Sequence, residues 1–238
     1  LDSNLYYATR FVAPDPFIYM EVKGERLLVM SDLEMDRAKS QASVDRVLSY
    51  SELEKKAKSN GTKEPSTVDI VHVILREAKI RQLLVPANFP FIHATRLQEL
   101  GYSMKPKRDP FYERRVVKTA EEVRCIEAAQ RATEEAVAAA HATLKQATIR
   151  GGELWLDGEV LTSERIKKLI NVTLMERDCV AQHTIVAGGE QACDPHHEGT
   201  GPLPANRSII FDVFPRSANS RYFADMSRTV IRGTASPE

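Results

Sequence analysis

The chain has 238 residues, enough for two domains, and 42% of them are hydrophobic, enough for cores of ordinary size. Its 33 basic and 33 acidic side chains cancel, which argues against a general electrostatic pull toward nucleic acid or an acidic membrane surface. No apolar run approaches the roughly 20 residues of a membrane span, the opening residues do not read as a signal peptide, and the three cysteines show no metal-ligand spacing, so the expectation is a soluble, cytoplasmic protein with free thiols.

In chain order, Phe17 to Met20 and Arg26 to Met30 read as strands joined by a tight turn at Lys23-Gly24-Glu25. Ser51 with Glu54 reads as a capping box opening a short helix. Val68, Val71, Ile74 and Leu75 recur at helical spacing, and Gln82 to Val85 is a strand ended by Pro86. Strands alternating with helices indicate an α/β domain with a largely parallel or mixed sheet. Residues 103 to 115, rich in Pro, Lys and Arg, carry a linker signature and place a domain boundary between 115 and 116. The basic side chains there read as a solvated linker.

Thr119 and Glu122 form a second capping box. Behind it Val123, Ile126, Ala129, Ala132, Val137, Ala140 and Leu144 mark a long helix whose alanines permit close packing on a sheet. Gly151, Gly152 and Gly158 interrupt the chain. Thr162 then caps a helix with Ile166, Leu169, Ile170, Thr173 and Leu174 on one face. His183 to Ala187 reads as a strand followed by a glycine turn, and Ser208 to Phe214 and Arg221 to Ile231 as two more.

Asp212 stands inside one apolar strand and Asp225 in the next. A carboxylate in such a strand is costly unless paired, hydrogen-bonded or bound to a cation. A hairpin centred between Ala218 and Asn219 sets opposite each other residues whose numbers total 437, as those of the two aspartates do. They would then be direct cross-strand neighbours about 5 Å apart. Two such carboxylates repel unless a metal neutralises them, and a pair of divalent ions about 3.5–4 Å apart suits them. The alternative stays open that one aspartate pairs with Arg216 or Arg228 and the other caps a turn.

The segments Ile209 to Pro215 and Tyr222 to Thr229 resemble the two-aspartate signature of the pita-bread metallopeptidases, which include aminopeptidase P, prolidase and methionine aminopeptidase. Gly189 to His197 is similar to the family segment that supplies a substrate-contacting histidine. The helix starts at Lys118 to Glu122 and Leu161 to Glu164 match too, and residues 1–115 resemble the creatinase-type N-terminal domain of the proline-specific branch. The resemblance implies an α/β creatinase-like domain over 1–115, then the first half of an α+β pita-bread catalytic domain over 116–238. It implies that Asp212 chelates one metal and Asp225 bridges two, Mn first and Co, Zn or Fe as alternatives. His196 would contact substrate near the scissile bond, with His197 a weaker candidate. From its residues alone, His196 could as well only cap a turn. The hairpin departs from the family: it is two residues longer, and Arg221 stands where a glycine is common.

The implied activity is metal-assisted hydrolysis of Xaa-Pro bonds at peptide ends, by a homodimer acting on peptides with proline at the second position. In the family a histidine and two glutamates follow the second aspartate, and one of those glutamates is the general base. No counterpart follows Asp225 here, so the chain as given is expected to be C-terminally incomplete, with little turnover of its own. Two other readings remain. One is a creatinase-like hydrolase without metals, which the two retained aspartates disfavour. The other is a non-catalytic module that binds proteins.

Overall fold

The computed structural model describes residues 2–235. The chain divides between Val117 and Lys118 into two compact units.

The first unit opens with helix α1 (Ser3–Thr9), whose N-cap Asp2 accepts two of the free amides. Strands β1 (Ile18–Val22) and β2 (Glu25–Met30) form the expected hairpin. Its two turn residues, Lys23 and Gly24, both have positive φ, as a tight two-residue connection requires. Helix α2 (Met35–Gln41) carries the chain over to β3 (Arg46–Ser49), which pairs parallel to β2. Helices α3 (Tyr50–Ser59) and α4 (Thr67–Glu77) follow. A core of Val22, Leu27, Val29, Leu53, Ile70 and Val73 joins them to the sheet. Strand β4 (Gln82–Pro86), helix α5 (Phe91–Glu99) and strand β5 (Ser103–Lys107) close the unit, with β4 and β5 parallel.

Three expectations are corrected here. The single mixed sheet is two sheets, one of β1, β2 and β3 and one of β4 and β5. The cap of α3 is Ser49, which accepts from the Glu52 amide, rather than Ser51. The first five residues of the proposed linker are strand β5. Among the described residues that strand borders only β4, so Pro106 with its missing N–H is tolerated, and Lys105 is exposed.

The second unit begins with α6 (Ala120–Gln146), started by the expected Thr119/Glu122 capping box. A small meander, β6 (Thr148–Arg150), β7 (Glu153–Leu156) and β8 (Glu159–Val160), leads to α7 (Ser163–Met175). Strand β9 (Cys179–Val180) precedes a sheet of β10 (Ile185–Gly188), β11 (Ser208–Val213) and β13 (Met226–Ile231), and β9 itself pairs with β12 (Arg216–Ser217). Ala129, Ala136 and Ala140 on α6 are fully buried, and so are Ile166, Ile170 and Leu174 on α7. They share one core with Val186, Ile209, Phe211 and Val213 of the sheet. Small alanine side chains bring the middle of the α6 backbone close to its neighbours, and Val137 and Leu144 fill the core around them. At its N-terminus the sequence reading is one position off: Val123 is exposed and Glu122 is buried. Among the described residues no helix is long and apolar enough to cross a membrane.

Candidate metal centre

Strand β11 alternates. Ile209, Phe211 and Val213 enter the core, so Ile210 and Asp212 face the other side. On β13 and the residues before it, Ala224 and Met226 are buried while Asp225 and Ser227 are exposed. This alternation turns Asp225 to the same side as Asp212.

The pairing register differs from the expected one. Asp212 faces Ser227 and Val213 faces Met226. The same register continues past the strands: Phe223 bridges Arg216, the Ala224 amide donates to the Pro215 carbonyl at 3.0 Å, and the Ser217 amide donates to the Tyr222 carbonyl at 2.9 Å. The hairpin is therefore centred one residue later, between Asn219 and Ser220. Its tip is closed by Ser217, whose hydroxyl oxygen accepts the Ser220 amide and whose carbonyl accepts the Arg221 amide. Arg221 has φ 64°, the left-handed conformation that glycine adopts most readily, at the position where the sequence departs from the resembled pattern. Asp225 thus lies diagonal to Asp212 rather than opposite it. A shift of two residues keeps both carboxylates on one face, where a shift of one would have separated them. Diagonal neighbours sit roughly 7–8 Å apart by their backbones, within reach of a shared cation.

Ser227 donates its hydroxyl to Asp212 Oδ1 at 2.6 Å. Neither aspartate pairs with Arg216 or Arg228 among the described residues, and the Arg228 guanidinium instead donates to the Ser227 carbonyl. In kind, two carboxylates on one open sheet face suit a hard divalent cation. In number they are too few: the described residues contain no group of three or more His, Cys, Asp or Glu side chains arranged to hold a metal.

The two histidines lie on a strap along the outer edge of β10, where the Val186 amide donates to the Glu198 carbonyl. The strap is thus two strand spacings, roughly 10 Å, from β11. Asp194 caps the turn before the strap by accepting the His196 amide at 3.0 Å. The His196 side chain is exposed, so the turn is capped without it. His197 is half-buried, and its Nδ1 accepts the Gly199 amide at 2.9 Å, which commits that ring to holding the strap.

Sequence reasoning missed what anchors this strap. On α7, Glu164 accepts the Gly201 amide with both carboxylate oxygens, and Lys167 Nζ donates to the Gly199 carbonyl at 2.8 Å. Gln191 exchanges two hydrogen bonds with the backbone of Thr200, and His183 Nδ1 lies 2.7 Å from Glu198 Oε1. The only local signal was polar residues on the first turn of α7, which also fits a solvated helix end. The backbone amides of Glu164 itself and of Gly201 hold the Glu164 carboxyl below its ordinary value of 4.5. A group whose folded-state value is lowered stabilises the fold above its unfolded value, and that contribution fades as the pH falls. Glu164→Gln is therefore expected to lower stability at pH 7 by about 0.5–1 kcal/mol, small because the carboxylate is exposed to water. The difference from wild type should shrink as the pH falls below 4.5. Urea denaturation midpoints at pH 7 and pH 3.5 would measure this.

Similarity to solved structures defines the fold class. The chain is similar to the Xaa-Pro dipeptidase from Bacillus anthracis, with a TM-score of 0.77 at 14% identity, covering 100% of this chain and 60% of that one. It is similar to the X-Pro aminopeptidase from Thermotoga maritima, with a TM-score of 0.75 at 20% identity, covering 99% and 60%. For the prolidase from Pyrococcus furiosus the TM-score is 0.71 at 17% identity, covering 98% and 60%. The protein has an N-terminal α/β domain followed by part of a pita-bread fold. Residues 124–238 match the profile of Metallopeptidase family M24. No curated protein matches the chain. The chain spans about 60% of the length of the solved structures it resembles.

Proposed function

We propose that the chain carries part of the active site of an Xaa-Pro exopeptidase, in which Asp212 and Asp225 together hold divalent metal. The observation that carries this reading is the pair of carboxylates on one open face of the β11–β13 ribbon, with the opposite face packed into the core. The M24 match over the same residues supports it. So do the solved relatives, described as an Xaa-Pro dipeptidase, an X-Pro aminopeptidase and a prolidase.

When bound, divalent ions at such a pair supply Lewis acidity toward a scissile carbonyl and acidify water. The chain's own residues have narrower tasks. Asp212, oriented by Ser227, and Asp225 supply negative charge and hard oxygen donors. His196, exposed on its anchored strap, contacts the substrate near the bond to be cleaved, while His197 keeps the strap in place. Among the described residues no third His, Cys, Asp or Glu joins the pair in a metal-binding group. Manganese is the first metal to try, and a homodimer is the assembly this reading favours.

The test is hydrolysis by the intact protein, with and without added Mn2+, of matched peptides bearing Pro or Ala at the second position. Metal-dependent cleavage of the proline series alone is the expected outcome. Cleavage that is indifferent to metal would favour the creatinase-like reading, and equal cleavage of both series would remove the proline specificity.

A further inference from the structure

Asp225 is exposed, and among the described residues no hydrogen bond or ion pair orients its carboxylate. Its position is therefore set by its backbone, and so by whatever holds the ribbon from Pro215 to Ala224. One strand of that ribbon is tied to the other through the Ala224 to Pro215 and Ser217 to Tyr222 hydrogen bonds. A further tie comes from far away in sequence. The Tyr222 hydroxyl donates to Glu122 Oε1 at 2.7 Å, across 100 residues.

Glu122 is only 3% exposed. A carboxylate so buried is costly unless its oxygens are satisfied. The capping box uses one of them, since Oε2 accepts the Thr119 amide at 2.8 Å. Capping the helix would be complete with that oxygen alone, and a surface glutamate would serve. Burial and the second oxygen are instead directed at the ribbon, three residues before Asp225.

We propose that Glu122 and Tyr222 are positioning residues for Asp225: the start of α6 fixes the ribbon so that Asp225 stands where it can share a cation with Asp212. This rests on the metal-binding reading of the aspartate pair. The pair acts through the backbone and touches neither metal nor substrate.

The test uses the full chain with Mn2+ alone as probe, following paramagnetic broadening of backbone amide NMR signals between Asp212 and Ser227, a readout suited to weak binding. Hydrogen exchange of the Ala224 amide and thermal unfolding are recorded on the same samples. Tyr222→Phe keeps the ring and removes the hydroxyl. It is expected to weaken Mn2+ binding about 10-fold, the usual scale for groups that orient a ligand. Exchange at Ala224 should quicken while the unfolding temperature stays within a few degrees. Glu122→Ala loses the cap as well and should unfold earlier, but its loss of Mn2+ affinity should equal that of Tyr222→Phe. The double variant should lose no more, because both changes break one tie. Unchanged Mn2+ affinity in Tyr222→Phe, beside a clear loss in Asp225→Asn, overturns the positioning role and leaves the aspartate pair standing. No Mn2+ broadening in the wild-type chain, or none lost in Asp225→Asn, overturns the pair itself and the positioning role with it.

Discussion

Gly199→Ala is expected to be the most destabilising single-methyl change in the second unit. Gly199 has φ +80°, and a Cβ built there falls 1.8 Å from the Val186 carbonyl oxygen, 2.5 Å from its carbon and 2.7 Å from Ser163 Oγ. The left-handed backbone alone costs an L-residue about 1–2 kcal/mol. The collision adds more, because the obstacle is backbone that cannot step aside. Val186 is fully buried and sits in register with Phe211 of the central strand β11, and its carbonyl accepts the Ser163 hydroxyl. The Gly199 carbonyl is in turn held by Lys167. Relief therefore requires either the strap to leave β10 or β10 to leave β11. The expected loss exceeds about 4 kcal/mol, in the range reserved for broken backbone geometry. Gly201→Ala is the control. Its φ is +71°, but nothing lies within 4 Å of the added carbon, so only the backbone term of about 1–2 kcal/mol applies. Urea denaturation of the two variants should separate them clearly. Equal midpoints would show that the strap yields easily and does not hold His196 in place.

How much of this was legible beforehand depended on the range of the interaction. The alternation through Ile209, Phe211 and Val213 is local, so the sidedness of Asp212 could be read directly. The Thr119/Glu122 box was legible for the same reason. The hairpin centre was not, because it depends on Ser217 closing a four-residue tip and on Arg221 accepting a left-handed backbone, neither of which composition announces. The parity of the strands survived the error, since the true register differs by two residues. Strand β5 was hidden by Lys105, Pro106 and Lys107, which look like a linker and are compatible with a strand because β4 is its sole neighbour among the described residues. Glu164, Gln191 and the Glu122 to Tyr222 tie could not be read at all. Their partners lie 37, 9 and 100 residues away, and a polar side chain gives no hint of a distant backbone amide or hydroxyl.

On the proposed exopeptidase reading, Asp225→Asn and Asp212→Asn should each abolish metal-dependent peptide hydrolysis by the intact protein, by more than about 100-fold, since even groups that only orient a metal ligand cost 10–100-fold when removed. The stability effect should run the other way. Without metal the two carboxylates are like charges on one sheet face, repelling by about 0.5 kcal/mol in water at roughly 7–8 Å. Asparagine has nearly the same shape, so Asp225→Asn relieves that repulsion without opening a cavity. In Asp212→Asn the Ser227 hydroxyl can keep its partner, because the amide oxygen still accepts. The metal-free variants should therefore unfold at the same temperature as wild type or slightly higher. Added Mn2+ should raise the wild-type unfolding temperature by binding the folded state, and each substitution should remove that increment. Structural aspartates would give the opposite pattern: a lower unfolding temperature without metal and an unchanged response to Mn2+. The two outcomes differ in sign, so one set of thermal melts distinguishes a binding site, kept at a small cost in stability, from a salt-stabilised hairpin.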